Sequence, residues 1–318
     1  SDYQQMEADG MGEELEKTDW QIVNSWLGTL YPELRDTSNY KTMISYVDPD
    51  KLTGFYERRQ QVLDEFLEIS GQVGAEKEFL HQMERKVEKP FHYEWVEGWS
   101  TLLGSMVADL GVVMALFLGI VLSSLFAGEW HDNTSALVLT TRNGWGKIAL
   151  AKILTGFAFT VELFALLAVS SIISQLFFMG TAGWDMPIQN IKLIAVAPMN
   201  MLQAEIYEYA FVLLGAIGFA GIVMFISAAV KNNVLTLLLS LAVVYGPMMI
   251  AEYLPYEMQK ALDLIPLVGS STDIFRTNTF RIFGKLIWSP YLLITIPVLI
   301  GILCMPFAIK SWSRRMKA

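Results

Sequence analysis

Ser105 to Ala127 reads SMVADLGVVMALFLGIVLSSLFA, an apolar run with one charged side chain, Asp109, near its start. A hydrocarbon core about 30 Å thick is crossed by roughly 20 helical residues, so this run is long enough to span it. Four further runs of the same kind follow at 148–178, 207–230, 234–251 and 290–309. Their Leu, Val, Ile, Ala, Phe and Met content suits helices, and an isolated sheet has no way to satisfy its backbone in lipid. Mean hydropathy is +0.39 even though the first third of the chain is charged. These features predict an all-α polytopic membrane protein with five transmembrane helices.

Charge near the ends of the runs sets the expected direction. Arg142 and Lys147 lie between the first two runs, Lys231 in the tight turn between the third and fourth, and Lys310, Arg314, Arg315 and Lys317 after the last. If every run crosses, all three places share one side, and the bias of Lys and Arg assigns that side to the cytoplasm. The C-terminus is then cytoplasmic, while residues 1–100, the 179–206 loop and the 252–289 loop lie outside. Trp95, Trp99, Trp184 and Trp288 fall near the outer boundaries, where interfacial aromatics are expected. Residues 1–100 contain no signal-like apolar run, so this orientation predicts a further span upstream of Ser1 and six crossings in all.

The first hundred residues form a distinct acidic region. They hold 21 Asp or Glu against 10 Lys or Arg, a net charge of about −11, while the other 218 residues net about +2. Their pattern is helical. Trp20, Ile22, Val23, Trp26, Leu27 and Leu30 make one helix before Pro32. Asp48-Pro49 is a good start for a second helix, with Leu52, Phe55, Tyr56, Val62, Leu63, Phe66 and Leu67 on one side and Glu57, Arg58, Arg59 and Asp64 toward water. Gly71 and Gly74 interrupt it, and Phe79, Leu80, Met83 and Val87 carry a third run to Pro90. Three modest helices bury little on their own, so the layer is expected to lean on the outer loops or on another copy. The expected organisation is an acidic helical extracellular domain at 1–100 and a transmembrane domain at 101–318.

The connection after the first run is the most specific stretch. It reads Gly128-Glu129-Trp130, then Leu137-Val138-Leu139-Thr140-Thr141-Arg142-Asn143-Gly144-Trp145-Gly146-Lys147, and enters Ala151-Lys152-Ile153. A carboxylate past an inward-going span, an apolar turn, a Thr-Thr-Arg break and two lysines opening the next helix resemble the cytoplasmic elbow of ABC-2 type ABC-transporter permeases. The order of spans, the tight inner turn, the broken outer segment before the last span, and Phe55-Tyr56-Glu57-Arg58-Arg59 with Pro90 to Trp99 resemble Gram-positive bacterial members that carry a large extracellular domain between their first two spans. That resemblance implies that the five runs are spans two to six, in a bacterial plasma membrane. It also implies that elbow 128–148, with Glu129, Thr141, Arg142, Lys147 and Lys152, docks on a separate cytoplasmic ATP-binding subunit. ATP and Mg would be bound there, since this chain has no Gly-x-x-x-x-Gly-Lys-Ser/Thr loop and needs no cofactor of its own. A second permease copy or a homologous permease completes the implied assembly. The implied function is an exporter of a peptide, including antimicrobial peptides, or of another amphipathic cargo such as a lipid or cell-wall precursor. A membrane-anchored peptide sensor or scaffold is the competing expectation.

Several residues inside the runs are candidates for more than packing. Asp109 and Glu162 put carboxylates in apolar helices, where each needs protein, water or a polar partner. Glu162 either lines a translocation path or pairs across a helix interface, while Asp109 is expected to have a local structural role. Gly246-Pro247 is a candidate hinge or a static kink, and Gly215, Gly218 and Gly221 allow close helix approach. In the 252–289 loop, Pro255, Leu264, Ile265, Pro266, Leu267 and Val268 predict a short broken helical segment against the outer membrane surface. Cys304 stands alone, so no intrachain disulfide is possible. No catalytic or metal constellation is recognisable, and an acidic region without a broad basic patch argues against nucleic acid.

Overall fold

The computed structural model describes residues 20–31, 54–92, 97–132, 134, 146–269, 275 and 277–314. Asp48-Pro49, Trp95, Thr141, Arg142 and residues 135–145 of the elbow lie outside them. The described residues are 76% helical, and the chain divides into two compact units.

The first unit joins residues 1–96 to 182–201. Its helices are α1 (Trp20–Leu30), α2 (Phe55–Ile69) and α3 (Ala75–Glu84). Gly71 and Gly74, at φ of 72° and 60°, make the α2–α3 turn in a region that only glycine enters cheaply. Leu27, Leu30, Leu63, Leu67 and Leu80 are buried together with Ile188, Leu193 and Val196 of the second segment. The support that this layer was expected to need is thus supplied by 182–201. Arg59 corrects the expectation that it faces water, being only 1% exposed. Its Nε donates to the Leu193 carbonyl at 2.6 Å and its Nη2 to that of Ala195 at 3.2 Å, while the guanidinium forks onto the buried Glu84 carboxylate. Periodicity alone assigned Arg59 to water because the acceptors that satisfy it lie on other segments, Glu84 on α3 and the Leu193 and Ala195 carbonyls more than a hundred residues away. On the open side of the α2–α3 hairpin, Lys77 donates to Glu68 at 2.9 Å; that bond, ahead of a weaker one to Asp64, pushes the Lys77 ammonium pKa up.

The second unit, residues 97–181 and 202–318, carries the spans. Helix α4 (Glu97–Thr101) runs through a π-helical stretch at Leu102–Met106 into α5 (Val107–His131). Helices α6 (Lys147–Met179), α7 (Met201–Ala229) and α8 (Asn233–Ile250) follow, then a short α9 (Tyr256–Leu262) and the last span, α10 (Ser289–Arg314). Among the described residues, five helices are long and apolar enough to cross a membrane, at Gly98–His131, Lys147–Met179, Met201–Ala229, Asn233–Tyr253 and Ser289–Ser313. The apolar windows of the third and first are 61% and 56% buried within the chain and those of the second and fourth 17%, so α7 and α5 are central and α6 and α8 peripheral.

Small residues set the crossings of α7. A Cβ on Gly218 would lie 2.3 Å from the Pro297 carbonyl oxygen, and one on Gly221 would lie 2.6 Å from Gly301 Cα, so α7 and α10 meet backbone to backbone. Asn232 caps α8 by accepting from the Leu235 amide at 2.9 Å, which closes the α7–α8 turn within a few residues.

Two expectations change in this unit. Of the broken helix expected from Pro255 and residues 264–268, only α9 after Pro255 is helical; residues 264–268 are turns, with Pro266 and Leu267 packed against Gly218 and Gly215 of α7, and the segment then forms a hairpin of β1 (Thr279–Ile282) and β2 (Lys285–Trp288), antiparallel with Ile282 opposite Lys285. Its two loop residues, Phe283 and Gly284, sit at φ of 50° and 78°, the left-handed pair that a tight hairpin needs. Phe-Gly is not among the residue pairs that announce such a turn, so the hairpin escapes a reading by pattern. Trp99 and Trp288 are also buried at 6% and 1% exposure, rather than facing an interface. Trp99 donates its indole N–H to the Thr181 carbonyl, and Trp288 stacks edge-on to Tyr291.

Candidate functional site

The end of α5, the start of α6, the α7–α8 turn and the end of α10 converge on one cluster. Glu129 stands in the last turn of α5 and Lys152 in the second turn of α6. Their charged atoms lie 2.5 Å apart, with Lys152 also donating to the Leu125 carbonyl at 2.6 Å. The Lys152 ammonium sits 5.2 Å from the Phe126 ring centroid and 5.5 Å from that of Trp312, both wholly buried. Trp130 packs edge-on to Trp312 at 6.1 Å, and Lys231 lies 4.4 Å from the Trp130 ring on its other flank. Ser227 ties α7 to α5 at the same level, accepting from the Phe126 and Ala127 amides and donating to the Ser123 carbonyl at 2.8 Å.

A lysine between two aromatic faces and a carboxylate is held by charge and by ring quadrupoles together, in surroundings where water screens little. The pair therefore locks the start of α6 to the end of α5, fixing both ends of the segment read as an elbow. Among the described residues, Glu129 Oε2 and Trp130 Nε1 are buried with no hydrogen-bond partner. Of the elbow residues, Glu129 and Lys152 are brought together; Lys147 is exposed at the start of α6, apart from the pair. Phe126, Ser227 and Trp312 were not singled out from sequence, and Lys231 only as a charge that sets direction. Trp312 alone carried a signal, as an aromatic among C-terminal cations.

Elsewhere in the spans, Asp109 is exposed near the start of α5 and Glu162 is exposed at the middle of α6. Gly246 and Pro247 lie in the last turn of α8, and a Cβ at Gly246 would meet nothing within 4 Å, so packing does not require glycine there. Glu205 is a residue the sequence reading missed, because the third run was begun at residue 207. It lies in the second turn of α7, 4% exposed, with neither carboxylate oxygen hydrogen-bonded to any of the described residues. An unsatisfied buried polar group costs about 1–3 kcal/mol. Glu205→Met is accordingly expected to raise the thermal unfolding temperature of the detergent-solubilised protein, read by tryptophan fluorescence; a lower midpoint would show that Glu205 has a partner the isolated chain does not supply.

The fold and this cluster define an all-α, multi-pass membrane protein. No family model, curated protein or solved structure matches the chain.

Proposed function

We propose that this chain is the membrane-spanning permease subunit of an ATP-driven exporter in a bacterial plasma membrane, with residues 1–100 outside and the C-terminus in the cytoplasm. The observation that carries the reading is the Glu129–Lys152 pair, seated in the Phe126, Trp130 and Trp312 cluster where four spans meet. A segment rooted at such a point transmits a push from a docked ATP-binding subunit to several spans at once. The resemblance of the 128–148 stretch to an ABC-2 permease elbow supplies the direction of that push. ATP and Mg belong to the partner, and a second permease copy or a homologous permease completes the path. The acidic outer region favours a cationic or antimicrobial peptide as cargo, and large amphipathic molecules such as lipids or cell-wall precursors are the alternative cargo.

Purification in a mild detergent is expected to recover an ATP-binding subunit, and vesicles holding the complex are expected to move cargo only with ATP. Replacing Glu129 and Arg142 together by alanine should leave membrane insertion intact while reducing recovery of the ATPase by about tenfold, the loss of charge-assisted contacts worth about 1.5–3 kcal/mol. Normal recovery and normal cargo-stimulated hydrolysis in that variant would remove the coupling role. A cytoplasmic partner without ATPase activity, with no cargo movement, would leave a membrane-anchored peptide sensor or scaffold.

A further inference from the structure

The β1–β2 hairpin ends on a side chain that no described residue covers. Phe283 is fully exposed, and it occupies a left-handed backbone position, φ 50°, that bulky residues avoid and that Asn, Asp or Gly fill at low cost. An aromatic ring there gives the chain by itself strain and exposed apolar surface. Its favourable contact therefore lies outside the chain, and two features say with what.

The first is place. Span α8 ends in a 3-10 turn, Ala251–Tyr253, and α9 starts three residues later at Tyr256. The hairpin is bound to α9, with the Tyr256 hydroxyl donating to Asn278 Oδ1 and the Lys260 ammonium 5.5 Å from the Phe280 ring centroid. Strand β2 passes directly from Trp288 into α10 at Ser289. The base of the hairpin is thus tied to the ends of two spans, at the level where they leave the hydrocarbon. Its tip, Phe283, is six residues from Ser289, at most about 20 Å along an extended strand. Apolar side chains also stay outward at this end of the molecule, since Met249, Ile250, Tyr253 and Met258 are all exposed. Residues 264–268, expected at the membrane surface, are packed on α7 instead, which leaves that surface to α9 and the hairpin.

The second is charge. Residues 274–288 hold Arg276, Arg281 and Lys285 and no Asp or Glu, in a chain whose net charge is −9. Arg281 and Lys285 are exposed. The register sets Arg281 opposite Leu286 and Lys285 opposite Ile282, which puts the two cations on opposite faces of the hairpin, one on each side of the tip. An apolar ring flanked by cations is complementary to a bilayer boundary with anionic headgroups, where the ring enters the acyl layer and long basic side chains reach back to phosphates. We infer that the Phe283 tip of the hairpin is a lipid anchor, seating its ring at the boundary of headgroups and acyl chains and holding anionic phospholipid through Arg281 and Lys285. The inference rests on the spans and the hairpin, and holds with or without an ATP-binding subunit.

The test replaces Phe283 of the full chain with photoreactive benzoylphenylalanine, which keeps an aromatic ring at the tip. Irradiation in the membranes of cells that make the protein is expected to add the mass of a phospholipid to the peptide that holds position 283. In vesicles of equal phosphatidylglycerol and phosphatidylcholine, adducts with the anionic lipid should exceed those with the neutral one. Lys285→Gln should lower that ratio about fivefold, one cation's share of the attraction to an anionic surface. An adduct in cell membranes with another part of this chain, a second copy or another protein would overturn the inference. So would the absence of any adduct, no preference for the anionic lipid, or an unchanged ratio in Lys285→Gln.

Discussion

Glu84→Ala is expected to unfold the layer built from α1, α2, α3 and the 182–201 segment while leaving the spans inserted. Glu84 is 2% exposed and forks with Arg59, which is 1% exposed, and Lys89 adds a second contact to the same carboxylate at 2.9 Å. Removing one member of a buried ion pair strands the other as an uncompensated charge, at a cost of about 3–5 kcal/mol. The carbonyls of Leu193 and Ala195 still accept from Arg59, but they cannot neutralise it. Much of the stability of a small helical layer would be lost. Limited proteolysis of the purified protein should show new cleavage within 182–201 and the α2–α3 hairpin, with the spans protected. Replacing both partners together by methionine tests the cause, because an apolar pair of similar volume removes the stranded charge. Partial recovery of protease resistance in the double variant is expected; sensitivity as great as in Glu84→Ala would show that the carbonyl contacts of Arg59, rather than the ion pair, hold the layer.

Gly221→Leu should abolish recovery of monodisperse protein from membranes. Gly218, Gly221 and Gly301 bring α7 and α10 into backbone contact, and even a methyl at 221 would lie 2.6 Å from both Cα and O of Gly301. These are backbone atoms of a helix, which cannot swing aside as a side-chain tip does. Overpacking of a well-packed site costs about 1–3 kcal/mol for added methylenes, and the effect grows when the obstacle is main chain. Gly221→Ala is expected to lower the thermal midpoint in detergent, and Gly221→Leu to prevent α10 from seating at all. Gly246→Ala is the contrasting control, since that position is open. Equal thermal midpoints for Gly221→Ala and the unaltered protein would mean that the α7–α10 crossing is looser than the backbone approach implies.

The spans and their order were legible in the sequence because the bilayer acts as a solvent with one demand, a continuous apolar helix of sufficient length, and that demand is local. The expected runs at 105–127, 148–178, 207–230, 234–251 and 290–309 fall inside the five observed spans or within a residue of them. Residues 207 and 230 mark the limit of this kind of reading. The run was begun at 207, past Glu205, while the helix starts at Met201 and carries both Glu205 and Glu208 buried against protein. In the same way Glu129 and Lys152 could be proposed as partners in one elbow, but their mutual contact inside a Trp312 and Phe126 enclosure depends on α10, which lies some 160 residues further along the chain.

By itself, then, the sequence determined which segments cross, the helical class, the acidic character of the first hundred residues and the close helix approach allowed at Gly218 and Gly221, because each follows from length, apolarity, charge or side-chain size along a short stretch. Only the tertiary structure decided that 182–201 completes the N-terminal layer, that Arg59 is buried, that the segment before the last span closes as a hairpin, and that the centre of α6 presents Glu162 outward. Those outcomes turn on which carbonyl or ring a distant segment brings within reach, and hydrogen-bond and packing partners of that kind leave no period in the sequence.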